Sequence, residues 1–418
     1  MKFLRWCLTL SLLTGTLVLN GPVLSSAETS TPSKGSAAPF QGDDFNDVLE
    51  VLNLETLAGS LERSFGDRYG DMWIDRSQSP SVLRINLVGG ASGNDLQTIS
   101  TLTGRNPRVA ANSVSFSKGD IDEFHAALDR IMATEPGPWT VGEDPQQNKV
   151  IVSAKALRPD TLAAISTSVP PQALGLELSP GFFANLLHGN RITYAGAHEG
   201  GLNVWILYPP PWLNVYGECT TGYTIKKDAA FYGLTAGHCA FNSTGTSAYV
   251  GGAAPADGSW VGNTSSNTYW CCNPSNSDAM KYSLPIAAAR GYVLANDNHH
   301  RAVKQQINEA GMPMGYSVCW AGKRTYFETC GNINRRDVSF TDENNRTMFH
   351  AFCWNGQGLR GDSGGPVYHV RGDLGADATG IVHGGTNVII NGATVIDVCM
   401  STLQQSIPGV GSTGLYTI

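Results

Sequence analysis

The stretch Gly361-Asp362-Ser363-Gly364-Gly365-Pro366 decides the reading of this chain, because it is built like the socket of a serine nucleophile. A serine hydroxyl is a poor nucleophile near neutral pH. It needs a neighbouring base, and backbone N–H donors aimed at the oxyanion that its attack creates. Glycines beside the serine let the backbone turn tightly and leave such N–H groups bare. In isolation the same letters also describe a glycine-rich turn with an incidental serine.

Two further segments narrow the choice. Leu234-Thr235-Ala236-Gly237-His238-Cys239 places a histidine directly after the β-like run Phe231 to Ala236, with a cysteine beside it to pin it. Ser277-Asp278-Ala279-Met280 places a carboxylate between a loop rich in Asn, Pro and Ser and an apolar run. In an acyl-transfer triad His238 takes the serine proton, and Asp278 fixes the imidazole tautomer and stabilises the imidazolium. The order His, Asp, Ser along the chain is that of the chymotrypsin arrangement, and differs from the subtilisin and α/β-hydrolase orders.

On these residues the chain resembles the chymotrypsin-fold serine proteases, and most of all their bacterial secreted branch of α-lytic protease and the streptogrisins. The matching segments are Cys219 to Ile225, Leu234 to Cys239, Asn276 to Tyr282, Val318 to Gly322, Gly361 to Pro366 and Gly380 to Gly385, which sample about the last half of the chain. The resemblance implies an all-β catalytic domain of two antiparallel six-stranded barrels, with His238 and Asp278 in the first and Ser363 in the second. It also implies an oxyanion hole from the Gly361 and Ser363 amides. Short β-prone runs after residue 200, such as Tyr223 to Ile225 and Thr379 to Val382, broken by Gly, Asn, Ser and Pro, agree with an all-β domain.

Composition bounds the rest. The chain has 418 residues, room for two or three domains, a net charge of −7, and only 15% charged residues. No basic block points to nucleic acid, and no second long apolar run points to a membrane span. Lys2 and Arg5 precede an apolar stretch from Trp6 to about Leu19, and Ser25-Ser26-Ala27 offers small residues at a cleavage site, so residues 1–27 read as a signal peptide for export. Apart from Cys7, the eight remaining cysteines all fall between 219 and 399, an even number that suits an oxidising, extracellular setting. Cys219 and Cys239 flank an expected hairpin, so a bridge there braces the loop carrying His238; the resemblance adds Cys319–Cys330 and Cys353–Cys399. For the adjacent Cys271 and Cys272, a bridge, two free thiols and another connectivity all stand open.

Residues 28–190 contain no cysteine and read as different material. Residues 28–42 are a Ser-, Thr-, Pro- and Gly-rich leader. From Asn46 to Phe65 apolar residues recur at helical spacing, followed by Trp73-Ile74-Asp75 and the strand-like Val82 to Val88. The order then recurs: a helix over Asp120 to Met132, with Asp120 and Glu123 spaced like a capping box, then Trp139 to Val141 and Val150 to Val152. Two related helix–hairpin units are expected over 43–190, an α/β region ahead of a β domain at 191–418. Phe65-Gly66-Asp67-Arg68-Tyr69 leading to Trp73-Ile74-Asp75 resembles the folding-assistant pro-segment of the bacterial proteases. That resemblance implies an intramolecular chaperone and inhibitor, with processing around residues 186–200. A β-rich domain dominated by non-local contacts folds slowly, so such an assistant makes physical sense. The alternative is a permanent N-terminal binding domain.

The substrate side is less specific. Gly384 and Gly385 match the family's pocket wall, where a peptide pairs its backbone with an edge strand. Gln357 stands where trypsin-like members carry an acid, which disfavours Lys or Arg recognition. His383 stands where the family usually has a serine bonded to the catalytic aspartate. It either takes over that task for Asp278 or, with Arg360 at the rim, favours an acidic side chain as in glutamyl-specific relatives. Val382, at a pocket-narrowing position, leans the preference to small or medium apolar residues. Asp362 lacks its family partner, since Trp320 fills the arginine's place; Lys323, Arg324, Arg360 or a new N-terminus are the candidates. His299-His300 reads as a solvated loop, with no metal site and no cofactor in the chemistry. The expectation is a secreted, monomeric serine endopeptidase acting on polypeptides. Its rivals are a catalytically silent binding homologue and a narrow processing enzyme.

Overall fold

Two copies of one plan, helix–strand–strand–helix–strand, run through residues 54–178 of the computed structural model. The structure describes residues 52–178, 183–186, 198–207, 216–240, 245–251, 258–296, 299–323, 325, 328–342, 345–356, 358–359, 361–390 and 393–418. The leader, the signal-like segment and the start of the expected first helix lie outside them. The described residues all fall within one contact unit, 42–418.

The first copy comprises α1 (Leu54–Phe65), β1 (Tyr69–Asp75), β2 (Val82–Val88), α2 (Gly93–Leu102) and β3 (Val109–Val114). The second comprises α3 (Lys118–Met132), β4 (Trp139–Asp144), β5 (Lys149–Ala154), α4 (Pro159–Ser168) and β6 (Leu174–Leu178). In each, the first two strands pair antiparallel and the third adds in parallel. The helix α1 buries Leu54, Leu57 and Leu61 along one face, the i, i+3, i+7 stripe that its spacing announces. The cap of α3 differs from the expectation: Ser117, not Asp120, starts the helix. Ser117 Oγ accepts from the Asp120 backbone N–H, and the Asp120 carboxylate accepts from the Ser117 backbone N–H. A short hydroxyl side chain reaches back to N3 with little strain, which is why serine takes this place.

After β7 (Phe183–Leu186) the chain is nearly all strand: β8 (His198–Gly200), β9 (Asn203–Leu207), β10 (Tyr216–Thr220), β11 (Thr224–Lys227), β12 (Ala230–Thr235), β13 (Ser247–Val250), β14 (Ser259–Asn267), β15 (Met280–Leu284), β16 (Ala289–Asn296) and β17 (His299–Gln306). There follow β18 (Ser317–Trp320), β19 (Thr329–Thr341), β20 (Thr347–Asn355), β21 (Pro366–Val370), β22 (Ala376–Ile390), β23 (Ala393–Thr402) and β24 (Gly414–Leu415). A short helix α5 (Thr268–Cys271) precedes the Asp278 loop, and α6 (Leu403–Gly409) follows β23. The first sheet runs β10-β9-β13-β14-β15-β12-β11-β24. In the second, β18, β19, β20, β23, β22 and β21 each pair with the next and β21 returns to β18, closing a six-stranded ring. This is an all-β half preceded by an α/β half. His299-His300, expected in a loop, instead opens β17, where His300 Nδ1 lies 2.6 Å from the Glu199 carboxylate and pairing with β16 satisfies the backbone.

The two halves share both core and sheet. Leu57, Leu61, Met72 and Ile74 of the first copy lie in one buried cluster with Tyr316, Trp320, Trp354 and Val382 of the six-stranded ring. The second copy joins by backbone, because β4 pairs antiparallel with β19. Strand β7 pairs antiparallel with β22, setting Leu186 against Gly384 and Asn185 against Gly385. Four disulfides, Cys219–Cys239, Cys271–Cys272, Cys319–Cys330 and Cys353–Cys399, all lie in the β half.

Candidate active site

Asp278 sits at the mouth of β15 with no exposed surface, and its carboxylate is the hub of the site. Oδ1 accepts from the His238 backbone N–H at 2.8 Å, and Oδ2 lies 2.5 Å from His238 Nδ1. The same Oδ2 lies 2.5 Å from His383 Nδ1. The Asp278 backbone N–H donates to Ser401 Oγ at 2.9 Å. Burial by itself would raise this carboxyl's pKa, but the two imidazoles, by charge and by hydrogen bond, outweigh it and hold the group far below the usual carboxylate range. Asp278 is therefore ionised, and it fixes His238 at two atoms, ring and backbone together.

His238 follows β12 in a single 3₁₀ turn, Gly237–Cys239, and the Cys219–Cys239 bridge ties that turn to the end of β10. Tyr269 of α5 stacks edge-on at 5.9 Å between ring centroids, and His383 stands at the same distance on another side. Phe340 packs edge-on against His383 at 4.8 Å.

Ser363 is held from the first sheet. Its backbone carbonyl accepts from the Thr220 N–H at 2.8 Å, and Thr220 Oγ1 donates to the Gly361 carbonyl at 2.6 Å. Thr235 Oγ1 in turn donates to the Thr220 carbonyl at 2.8 Å. Thus the strand before the serine loop's partner and the strand before His238 are stitched to one residue. Ser363 Oγ lies 3.4 Å from the His383 carbonyl oxygen. Gly364 turns the chain with φ near +84°, and a Cβ there would come within 2.1 Å of Thr235 Oγ1, so only glycine fits. Gly361 adopts φ near +105° on the other side of the serine. Ser363 has no exposed surface and His238 only 5%.

Of the other expected site residues, Gly384 and Gly385 are on β22 under β7. Val382 lies in the barrel core cluster with Trp320, Phe352 and Met400 rather than open to solvent. Gln357, Arg360 and Arg324 fall outside the described residues. Asp362 is fully buried and accepts from the backbone N–H groups of Leu359 (3.0 Å) and Thr325 (3.3 Å). Lys323 turns instead to Glu218 and to Asn203 Oδ1 at 3.0 Å, its ammonium 5.1 Å from the Trp205 ring. Trp320 packs tilted against Trp354, their ring centroids 5.2 Å apart.

Sequence reasoning missed Ser401, Thr220, Thr235 and Phe340, which position the expected residues. Their only signal is register: Ser401 lies two residues beyond Cys399 on β23, and so on the same face as the bridge. His198 was missed too; it is buried, with Nδ1 3.0 Å from Thr224 Oγ1 and Nε2 2.6 Å from Tyr282 Oη, and burial lowers its pKa to about 3.

Among the described residues four groups of His, Cys, Asp and Glu converge closely enough to consider a metal. Cys219/His238/Cys239 and Cys319/Glu328/Cys330 have their sulfurs in disulfides. In His238/Asp278/His383 both ring nitrogens already sit at short hydrogen-bond distance from one oxygen. The fourth, His125/Glu143/Asp337, shares no residue with the other three.

No family model matches the chain. Solved structures that are similar include Thermobifida fusca protease A, at 19% identity, covering 52% of this chain and 98% of its own, with a TM-score of 0.39. A glutamic-acid-specific serine protease that uses a histidine triad in substrate binding matches at 19% identity over 52% of this chain and 100% of its own, TM-score 0.40. An α-lytic protease homologue, N4, matches at 19% over 53% of this chain and 100% of its own, TM-score 0.39. Over about half of its length the chain is similar to bacterial chymotrypsin-fold proteases.

Proposed function

We propose that the chain is the precursor of a secreted, monomeric serine endopeptidase. The observation that carries this reading is the Asp278 carboxylate gripping His238 through both its backbone N–H and Nδ1, in one hydrogen-bond network with the Ser363 loop. Ser363 attacks the peptide carbonyl, and His238 takes its proton and returns it to the leaving amine. Asp278 keeps Nδ1 protonated, so that Nε2 is the basic nitrogen, and stabilises the imidazolium. The Gly361 and Ser363 amides serve the oxyanion. No cofactor enters these steps.

In this reading residues 28–190 are a pro-region that assists folding and blocks the site, removed by cleavage between β7 and β8. The pairing of Phe183–Leu186 with the Gly384–Gly385 edge supports the blocking role, because a peptide substrate would pair with that same edge. The proposed side-chain preference is small or medium apolar: His383 is engaged by Asp278, which favours its structural role over recognition of an acidic side chain.

Intact mass and N-terminal sequence of the secreted protein, wild type against Ser363→Ala, test the proposal. Loss of roughly 160–175 residues beyond the signal in wild type alone, as the composition break suggests, supports self-processing. Equal cutting of both means that another protease matures the chain. Failure of the processed protein to label with a fluorophosphonate at Ser363 would sink the enzymatic reading and leave a binding homologue. A peptide library then separates small apolar from acidic preference, and a broad enzyme from one with a single target.

A further inference from the structure

We propose that His125, Glu143 and Asp337 form a binding site for a divalent transition-metal ion of the zinc class, which clasps the α/β half to the β half. His125 comes from α3 and Glu143 from β4, whereas Asp337 comes from β19 across the β4–β19 seam. The site is independent of the serine chemistry and stands or falls separately from it.

The distances are those of ligands around an ion. His125 Nδ1 lies 3.4 Å from Glu143 Oε1 and 3.3 Å from Asp337 Oδ2. Both are long for hydrogen bonds between charged partners, which run about 2.7–2.9 Å. They match the edge of a tetrahedron whose centre is about 2.0–2.1 Å from each ligand, an edge of about 3.3–3.4 Å. All three donor atoms fall within 4.8 Å of one another.

Two of the ligands, Asp337 and Glu143, are also held from behind, as first ligands of an ion commonly are. His125 Nε2, buried and without a hydrogen bond, faces Asp129 Oδ1 at 3.8 Å. The second oxygen of Asp337 lies 2.5 Å from His350 Nδ1, and the second oxygen of Glu143 lies 3.4 Å from Lys118 Nζ.

The backbone bends to make this cluster. Between Arg335 and Val338, β19 carries one residue more than β20 opposite, and it likewise slips against β4 between Arg336 and Ser339. Asp337 sits in that double bulge with φ near +48°, and His350 sits in a facing bulge with φ near +60°. Bulges re-aim side chains, and non-glycine residues in this region carry strain of order 1–3 kcal/mol that tends to collect at functional sites.

The charge balance points the same way. Arg336 is matched to Asp71 at 2.8 Å, and Lys118 to Asp122 and Glu143. Among the described residues no Lys or Arg forms an ion pair with Asp129 or Asp337. Asp337 and His350 remain 31% and 40% exposed at the side chain, which leaves an entry path.

The test uses the full chain with Ser363→Ala, so that no self-cleavage parts the ligands. It is stripped with chelator and titrated with Zn²⁺ alone, then with Co²⁺ to read the coordination spectrum. Expected are one equivalent bound at micromolar Kd or tighter, an intense tetrahedral Co²⁺ spectrum and a Tm raised by the ion. Affinity should fall at least 100-fold in His125→Gln and Glu143→Gln, and about 10-fold in His350→Gln, whose residue acts through Asp337. His300→Gln, which alters a separate His–Glu pair, should change nothing. Circular dichroism identifies any variant that fails to fold, and the milder Asp129→Asn then supplies the comparison. No uptake, or uptake indifferent to His125 and Glu143, overturns the site.

Discussion

The two copies in the α/β half share a plan but hold the β half by different physics. The first copy is attached by apolar burial, with α1 and β1 sharing a core with the six-stranded ring. The second is attached by a backbone ladder between β4 and β19, together with buried ionic contacts at the same seam. Apolar burial demands matching shapes and tolerates solvent and pH; a ladder tolerates sequence, but its charged flank responds to ions and protons. The β half differs from both in its four disulfides, cross-links that limit the freedom of its unfolded chain and that the α/β half lacks among the described residues.

The contrast can be broken at several strengths. The largest effect is expected from Asp278→Asn, which should lower kcat by about 10⁴-fold by releasing the imidazole tautomer. Because the fault is confined to one hydrogen-bond hub, the hydrogen-exchange protection of β1–β6 should stay unchanged. A loss of protection there would mean that the halves are energetically one body. Next, Leu61→Ala should cost about 2–5 kcal/mol, since this side chain is wholly buried in the shared core. Denaturant unfolding should show the loss in α1, α2 and β1–β3, and exchange in β4–β6 should move less. Ser117→Ala, which removes the cap of α3, should cost about 1 kcal/mol and be confined to the second copy.

Acid gives the gentlest probe. Arg68 and Ser92 hold the Asp95 carboxyl well below its ordinary value. For Asp75 and Glu135, burial pushes upward, but hydrogen bonds from Ser77 and Arg84, and from Thr161 and Arg158, bring both below theirs. A depressed folded pKa supplies stability that is full above the unfolded value, near 4, and is lost as pH falls through the folded one. The α/β half should therefore loosen below about pH 4, read as a fall in its Tm, while the bridged β half lags. Simultaneous loss would show that the disulfides do not separate the halves.

Legibility from sequence followed how locally each feature is encoded. His238, Asp278 and Ser363 stand in motifs whose neighbours carry the signal; His238 Nδ1 lies 2.5 Å from Asp278, and Ser363 Oγ lies 3.4 Å from the His383 carbonyl. Helices α1 and α3 announce themselves by apolar stripes. Helices α2 and α4 were not read because they bury only two residues each, Asp95 and Ile99 in one, Thr161 and Ile165 in the other, so their periodicity is thin. The box of Ser92 and Asp95 was the signal available for α2. Missing those helices hid the full repeat, although its helix–hairpin part was legible. The β4–β19 and β7–β22 pairings, and the service of Ser401 and Thr220 to the site, join residues far apart in the chain, and no local pattern encodes a partner.

Strand β7 means that the edge of β22 is already claimed by the chain's own backbone, through four residue pairs. A partner tethered by a short linker acts at an effective concentration in the millimolar range. A free peptide of equal intrinsic affinity must therefore reach about that concentration to hold the edge half the time. Were the link between β7 and β8 cut, as proposed above, that constant local concentration would become one that dilution lowers. The lifetime of the closed form would then be set by how fast the shared core and the β4–β19 ladder let go along with β7, so the onset of access would depend on the volume into which the molecule is released.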